Sequence, residues 1–222
     1  MNTRTHTTRQ LLLDVAERLY AERGVNGVSL REIGAAAGQR NTGAVRYHFG
    51  SKSDLLEAVI ARRMVPANEA RAAYLAEADA EAEGEGEGEG GEGAALEARR
   101  LVEALVLPLV AQLGEPGQPS WYLRFLAQAF SDREVGQLIT DLRYGEGRTG
   151  LWTEVQRRVI AGLGWLPPQR RHERWMFLAS FVTHALADRE SLIATASASP
   201  LTPPEDFVAH LVDVGEAIIT RP

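Results

Sequence analysis

The sequence predicts an all-α protein with a small three-helix domain over residues 1–50 and a larger helical domain over residues 51–222. Apolar residues recur three and four positions apart in most of the longer segments, which is the period of an amphipathic helix. Near the N-terminus, a glycine turn separates two short segments of this kind with almost no other chain between them, as in a helix-turn-helix. No segment alternates apolar and polar residues over the length of a strand, so helices alone account for the pattern.

Capping residues set the limits of the first two helices. The first helix is predicted over residues 8–23, because its apolar stripe stops at Gly24 and a glycine commonly follows a helix C-terminus. Ser29 and Glu32 form an S-x-x-E capping box that opens the second helix, which Gly38 ends. A short loop therefore joins the two helices.

The third and fourth helices follow at once. The third is predicted over residues 42–49, and Gly50 separates it from a fourth helix that Ser51 and Asp54 cap. The fourth helix has a long apolar stripe, in which Pro66 is expected to produce a kink because it removes one hydrogen bond and clashes with the preceding turn. Pro66 thus predicts a division of this helix into two semi-independent pieces.

Alternating glutamate and glycine over residues 83–93 interrupts the helical pattern. This segment has no apolar side chain to bury and its charges repel one another, which predicts a disordered surface loop. A functional acidic segment is the alternative.

Proline is common in the first turn of a helix, which favours helix starts at Pro167-Pro168 and at Pro203-Pro204. Further helices are predicted over residues 95–113, 120–130, 132–142, 148–163, 168–196 and 204–219.

The distribution of charge distinguishes the two ends of the chain. The formal net charge is −6, but residues 1–66 hold ten basic and six acidic side chains. A basic N-terminal segment beside an acidic remainder favours nucleic-acid binding by that segment. The absence of cysteine excludes disulfides and thiolate metal sites. No apolar run approaches the roughly 20 residues of a membrane span, and we expect a cytoplasmic protein without membrane contact.

The predicted third helix presents a polar face suited to DNA. Val45 and Phe49 lie four residues apart and are expected to face the core, which leaves Arg46 at the exposed flank. An arginine there can pair with guanine, and Asn41 just before the helix is placed to read adenine. Gly43 would let the helix backbone approach the groove wall closely.

Phosphate contacts are predicted around this face. Tyr47 and Thr42 carry hydroxyl groups, and Arg40 precedes the helix. Lys52 lies in the first turn of the fourth helix, where it can share an anion with the helix amide groups. The structural alternatives are that Tyr47 and His48 pack against the first helix and that Arg46 and Lys52 are ordinary solvated side chains. The candidate DNA contacts are Ser29, Arg40, Asn41, Thr42, Gly43, Arg46, Tyr47, His48 and Lys52.

Several residue pairs of the first 60 residues form one pattern. They are Val28-Ser29, Ile33-Gly34, Ala37-Gly38, His48-Phe49, Ser51-Lys52 and Leu55-Leu56. As a set they resemble the TetR family of bacterial one-component transcriptional repressors. The chain departs from the common family form in two ways. The turn over residues 39–42 is one residue longer, and Val45-Arg46 replaces the usual Leu-Tyr, with the tyrosine at position 47.

The resemblance implies a homodimer that binds a palindromic operator and has a ligand pocket in its larger domain. It also implies that a small-molecule effector shifts the fourth helix and changes the spacing of the two recognition helices. These helices must enter grooves about 34 Å apart, or a multiple of that distance. A small rotation of the fourth helix would therefore disturb DNA binding.

Aromatic residues of the larger domain are candidates for the pocket, although their helical spacing is first of all that of ordinary core packing. The pocket candidates are Tyr74, Trp121, Phe125, Trp152, Phe181 and His184. His184 is the polar candidate, with a satisfied core or interface histidine as the favoured alternative. The dimer interface is expected on the last two long helices, whose apolar faces are the richest. Its candidates are Trp175, Phe207, Leu211, Val214 and Ile218.

The function most consistent with these features is a ligand-responsive DNA-binding regulator, most simply a repressor released by a small, partly apolar effector. The alternatives are a constitutive DNA-binding protein, a helix-turn-helix used for protein contacts, and an all-helical enzyme. An enzyme is disfavoured because no catalytic triad, phosphate loop, dinucleotide or zinc motif occurs. The histidines, at positions 6, 48, 172, 184 and 210, have no metal-ligand spacing. No catalytic residue, metal or cofactor is therefore predicted.

Overall fold

The computed structural model describes residues 3–41, 43–85, 91–115, 120–132, 135–136, 150–195 and 201–221. All regular elements in these ranges are α-helices, which confirms the predicted fold class. They are α1 (Thr3–Arg23), α2 (Leu30–Ala36), α3 (Ala44–Phe49), α4 (Lys52–Glu85), α5 (Gly91–Val110), α6 (Tyr122–Ser131), α7 (Gly150–Gly162), α8 (Pro168–Ala194) and α9 (Pro204–Thr220). In these ranges, no helix combines the length and the apolar character that crossing a bilayer requires.

The glycines that follow the N-terminal helices lie where the local signals predict, but α1 begins at Thr3 and not at residue 8. The helix ends also differ from the prediction around the acidic repeat. Gly24, Gly38 and Gly50 have φ angles of 71°, 67° and 81°, a region that favours glycine. The predicted loop over residues 83–93 is too long, because α4 extends to Glu85 and α5 begins at Gly91. Packing of α4 against α5 supports both helices, and an established helix extends at little cost. Residues 86–90, and most of the helix predicted over 132–142, lie outside the described residues.

The long helix α4 continues through Pro66, which corrects its predicted division into two pieces. The proline removes one backbone donor, but its ring lies on the exposed side of the helix. α4 packs against α1, α3, α5 and α7, so that neighbouring helices hold it over much of its length. Tertiary packing therefore outweighs the local effect of the proline.

One continuous hydrophobic core joins the N-terminal helices to the rest of the chain. α1 packs against α2 and α4, and also against α6. Two hydrogen bonds strengthen the contact with α6: Gln128 Nε2 donates to the Ala21 carbonyl at 3.0 Å, and Asn26 Nδ2 donates to Asp132 Oδ2 at 2.5 Å. The first three helices are thus attached to the body through α4 and through α6.

The start of α6 is capped by a carboxylate from α8. Glu190 is buried, and its two oxygens accept hydrogen bonds from the backbone N–H groups of Leu123 at 3.2 Å and Arg124 at 2.9 Å. The Arg124 Nε also donates to Glu190, at 3.1 Å. A negative charge is favourable at a helix N-terminus, where the amide groups lack intrahelical partners. This carboxylate fixes α6 to α8.

Gly215 marks a close approach of α9 to its neighbours. A Cβ atom there would lie 2.7 Å from Val102 Cγ1 and 3.2 Å from Leu178 Cδ1. We expect Gly215→Ala to lower the free energy of unfolding by about 1–2 kcal/mol, because overpacking outweighs the gain in helix propensity. Gly162→Ala is the matched control and should raise it by about 0.5 kcal/mol, since nothing lies within 4 Å of that position. Urea denaturation of both variants tests this, and equal stabilities would contradict it.

Candidate nucleic-acid interface

The start of α2 is held by the predicted capping box. The Ser29 N–H donates to Glu32 Oε2 at 2.8 Å, and the Glu32 N–H donates to Ser29 Oγ at 3.2 Å. The Ser29 hydroxyl also donates to Glu32, which lowers the pKa of that carboxyl. Ser29 is exposed, so its DNA contact stays a prediction, but its side chain already has a structural role.

Asn41 shapes the entry into α3. Its Oδ1 accepts a hydrogen bond from the Gly43 N–H at 2.9 Å, and its backbone carbonyl accepts one from Ala44 at 3.0 Å. This is the turn that asparagine side chains commonly form with the backbone two residues on. An amide oxygen has two lone pairs, so Asn41 keeps one lone pair and its Nδ2 group for a bidentate pair with adenine, and this contact stays a prediction. Arg40 is exposed beside it, and Thr42 lies outside the described residues.

Helix α3 presents the face that its spacing predicts. Val45 and Phe49 are buried, whereas Arg46 and Tyr47 are exposed. Tyr47 is 82% exposed, which is inconsistent with the alternative that it packs against α1. His48 is half-buried, and its ring contacts Tyr47 edge to face with 5.2 Å between the centroids. Arg46 and Tyr47 are therefore available to a ligand outside the chain.

A second capping box opens α4 directly after Gly50. The Ser51 N–H donates to Asp54 Oδ2 at 3.0 Å, and the Asp54 N–H donates to Ser51 Oγ at 3.1 Å. Lys52 is the first residue of the helix and is half-buried. The capping box thus fixes the backbone that carries Lys52 next to α3.

One surface groove gathers four of the predicted contacts, Ser29, Gly43, Arg46 and Lys52, and we call it the basic groove. Arg31 also lines it. Arg31 was not among the predicted contacts, although the capping box places it in the exposed first turn of α2. The groove also contains Glu32, but Arg23 pairs with that carboxylate at 3.2 Å. Within the described ranges, Arg31, Arg46 and Lys52 form no ion pair, so that an external anion can bind them.

The predicted pocket residues divide between the core, a small cavity and the surface. Phe125 is fully buried beside Tyr20 and Tyr122, with ring centroids 6.0 and 6.2 Å away, and is a core residue. Trp152 lines a small cavity and packs edge to face against Trp175, with 5.4 Å between the centroids. Of the predicted set, only Trp152 lines this cavity in the described part of the chain.

The other pocket candidates lie closer to the surface. The half-buried Tyr74 donates its hydroxyl to Glu103 at 2.5 Å, and burial raises the pKa of this tyrosine. Trp121 is half-buried under the Arg124 guanidinium, 4.0 Å above the ring, and Phe181 is half-buried against the core. His184 is exposed on the outer face of α8, 2.9 Å from the Ser180 carbonyl, so its prediction as the polar pocket residue is corrected.

The predicted dimer-interface residues also divide between the core of the chain and its surface. Trp175 and Leu211 are buried within the chain and cannot contact a second copy, which corrects both predictions. Val214 is exposed, and Phe207 and Ile218 are half-buried. Met176 and Phe177, which are 52% and 60% exposed, were not among the predicted interface residues. Both lie on the side of the helical wheel away from Leu178 and Val182, which is the signal that could have identified them.

The sequence of the N-terminal helices matches known regulators. A profile described as "Bacterial regulatory proteins, tetR family" matches residues 12–59. The chain is 50% identical over 52 residues to the HTH-type transcriptional regulator AcrR of Shigella flexneri, which is 23% of this chain and 24% of that protein. It is 40% identical over 62 residues to the HTH-type transcriptional repressor BepR of Brucella suis biovar 1, or 28% and 29% of the two chains. The matches span about a quarter of the length of these curated relatives.

A solved transcriptional regulator from Rhodococcus sp. Rha1 is similar over 95% of each chain, with a TM-score of 0.49 and 20% identity. The profile match runs from α1 into α4 and so includes the elements that form the basic groove. The described residues contain no group of three histidine, aspartate or glutamate side chains placed to hold a metal ion. Residues 12–59 of this chain therefore match the TetR family of bacterial regulatory proteins in sequence.

Proposed function

We propose that the chain is a transcriptional regulator, most simply a repressor, that binds palindromic duplex DNA as a homodimer and is released by a small, partly apolar effector. The observation that supports this most is the basic groove, in which Arg31, Arg46 and Lys52 surround an exposed face of α3. Cations of this kind supply affinity through phosphate contacts, and a base contact by Arg46 supplies sequence preference. In this proposal residues 1–50 read DNA, and residues 51–222 dimerise and bind the effector.

The exposed apolar side chains of α8 and α9 support a homodimer. Met176 and Phe177 on α8 and Val214 on α9 are large apolar residues in contact with solvent, and the two helices pack side by side. Exposed apolar patches often mark interfaces, and two pairs of such helices form a four-helix arrangement about a two-fold axis. His184 lies on the same face of α8, seven residues from Phe177, and becomes an interface residue in this proposal.

Two connections support effector control of the basic groove. The cavity beside Trp152 is lined by residues of α4 and α6, and α4 begins in the basic groove at Lys52. α6 is joined to α1 by the bond between Gln128 and the Ala21 carbonyl. A ligand that separates α4 from α6 would therefore move α4, which packs against α3, and α6, which is joined to α1. Coupling between two such sites is typically about 1–3 kcal/mol and acts equally in both directions.

Selection from a random duplex library with the full-length chain tests DNA binding directly. We expect enrichment of a palindrome, and an affinity whose logarithm falls with the logarithm of salt by about 0.9 for each phosphate contact. The absence of any enriched sequence at low salt, or an affinity independent of salt, would contradict the proposal.

Arg46→Ala and Lys52→Ala are expected to weaken operator binding in different ways. Loss of Arg46 should cost about 1–3 kcal/mol and relax the preference at one base step per half-site, because its side chain faces outward from α3. Loss of Lys52 should weaken binding to all DNA sequences about equally and should reduce the slope of the logarithm of affinity against the logarithm of salt concentration. Fluorescence anisotropy on the selected duplex and on single-base variants measures both effects. Arg157→Ala, an exposed arginine on α7, is the control, and an Arg46 variant with wild-type base preference would exclude base reading by Arg46.

A further inference from the structure

Arg71 of α4 is a buried cation without a charged partner among the described residues. Its side chain is 2% exposed, its Nε donates to the Ala104 carbonyl at 2.8 Å, and its Nη1 donates to Asn68 Oδ1. Both acceptors are neutral, and no carboxylate in the described ranges lies within ion-pair distance. Burial of a cation is strongly unfavourable when no opposite charge accompanies it. The position of Arg71 therefore needs an explanation beyond packing.

Arg71 also lines the small cavity beside Trp152. Its guanidinium carbon lies 5.4 Å from the centroid of a Trp152 ring, within the range of a cation–π contact. The remaining wall is mostly apolar and consists of Met64, Ala67, Asn68, Leu109, Tyr122 and Leu126. In this form the cavity has room for little more than one water molecule.

The guanidinium retains both charge and hydrogen-bonding capacity. Burial lowers the pKa of Arg71 to about 10, which still leaves the group protonated at neutral pH. Of the five N–H donors of an arginine, two have acceptors among the described residues. The remaining donors belong to a planar fork that matches the two oxygens of a carboxylate.

We propose that Arg71 binds the carboxylate of a small organic acid whose apolar or aromatic body packs against Trp152 and Leu126. This inference rests on the proposed function, because it names the chemical class of the effector. A carboxylate supplies the missing counter-charge, whereas a neutral molecule of the same shape does not. Since the cavity is smaller than such an acid, binding must separate α4, which carries Arg71, from α6, which carries Leu126.

Matched acid and amide pairs test the proposal without knowledge of the natural effector. The probes are hexanoate and hexanamide, benzoate and benzamide, and indole-3-acetate and indole-3-acetamide, added to the full-length chain. Thermal unfolding and calorimetric titration measure binding. We expect at least one acid to raise the melting temperature and to bind at least tenfold more tightly than its amide. No acid binding more tightly than its amide would overturn the proposal.

Variants at Arg71 test whether this residue causes the preference for an acid over its amide. Arg71→Met should abolish the difference between acid and amide and should melt no lower than the wild type without ligand, because an unbalanced buried cation is removed. Arg189→Met, which replaces another buried arginine outside the cavity, should keep the difference. If Arg71→Met does not fold, Arg71→Gln decides, because it keeps hydrogen-bond donors but loses the charge and should likewise abolish the difference between acid and amide. A preference that persists in the folded variant would overturn the proposal.

Operator affinity, measured with each probe, separates the two proposals. Acids that bind through Arg71 but leave DNA affinity unchanged would exclude effector control and support the anion site. Amides that release the operator as well as their acids do would support the regulator and overturn the role of Arg71.

Discussion

Glu17→Ala is expected to lower the free energy of unfolding by about 3 kcal/mol, because it removes a buried carboxylate that joins α1 to α4. Glu17 Oε2 accepts hydrogen bonds from Arg62 at 2.7 Å and from Arg63 at 3.0 Å, and its Oε1 accepts one from Arg63 at 2.9 Å. The Glu17 side chain is 3% exposed, whereas those of Arg62 and Arg63 are 24% and 30% exposed. The decrease in the free energy of unfolding should therefore lie at the lower end of the range for a broken buried ion pair.

Asp14→Ala is the matched control for this change. Asp14 accepts a hydrogen bond from the same Arg62 at 2.6 Å, but its side chain is 63% exposed. Exposed ion pairs contribute little, so we expect a loss of about 0–1 kcal/mol. Urea denaturation followed by circular dichroism compares the variants. If Glu17→Ala were no less stable than Asp14→Ala, the contact between α1 and α4 would depend on apolar packing alone.

Phe177→Glu is expected to convert the proposed dimer into monomers and to reduce operator affinity by about 100-fold or more. Phe177 is the most exposed of the large apolar side chains on α8 and α9, and a carboxylate there would be buried unpaired in the interface. A dimer binds its second half-site at a high effective concentration, and this advantage is lost when the copies separate.

Leu96→Glu provides the comparison for Phe177→Glu. Leu96 is also a large, exposed apolar residue, but it lies on α5, outside the proposed interface. Sedimentation velocity gives the oligomeric state of each variant, and fluorescence anisotropy gives its operator affinity. A Phe177→Glu protein that sediments like the Leu96→Glu protein would exclude the face of α8 and α9 as the dimer interface.

The helix-turn-helix could be predicted in detail because its determinants are local. The capping boxes of Ser29 and Glu32 and of Ser51 and Asp54 join residues three positions apart. Exposure of Arg46 follows from its position beside the buried Val45, since one turn of helix fixes which side faces outward. Arg31, which also lines the basic groove, could have been found by the same reasoning.

Local signals were less reliable where tertiary packing was involved. Pro66 predicts a break, but α4 continues through it because four other helices pack against α4. The effect of proline on the backbone was interpreted correctly, and the surrounding helices changed the result. The turn in which Asn41 Oδ1 accepts a hydrogen bond from the Gly43 N–H was not predicted, although asparagine commonly forms such turns.

The sequence by itself determined the helical fold class, the capping boxes that open α2 and α4 and the exposed face of α3, because contacts within one or two turns decide them. Only the tertiary structure decided which apolar face of α8 is internal. Trp175 lies inside, whereas Phe177 and His184 lie outside, because α6, α7 and α9 cover one side of that helix. Likewise, nothing near Arg71 in the sequence indicates its burial, which arises when residues of α5, α6 and α7 close around it. Such burial depends on contacts between distant segments, which helical periodicity cannot specify.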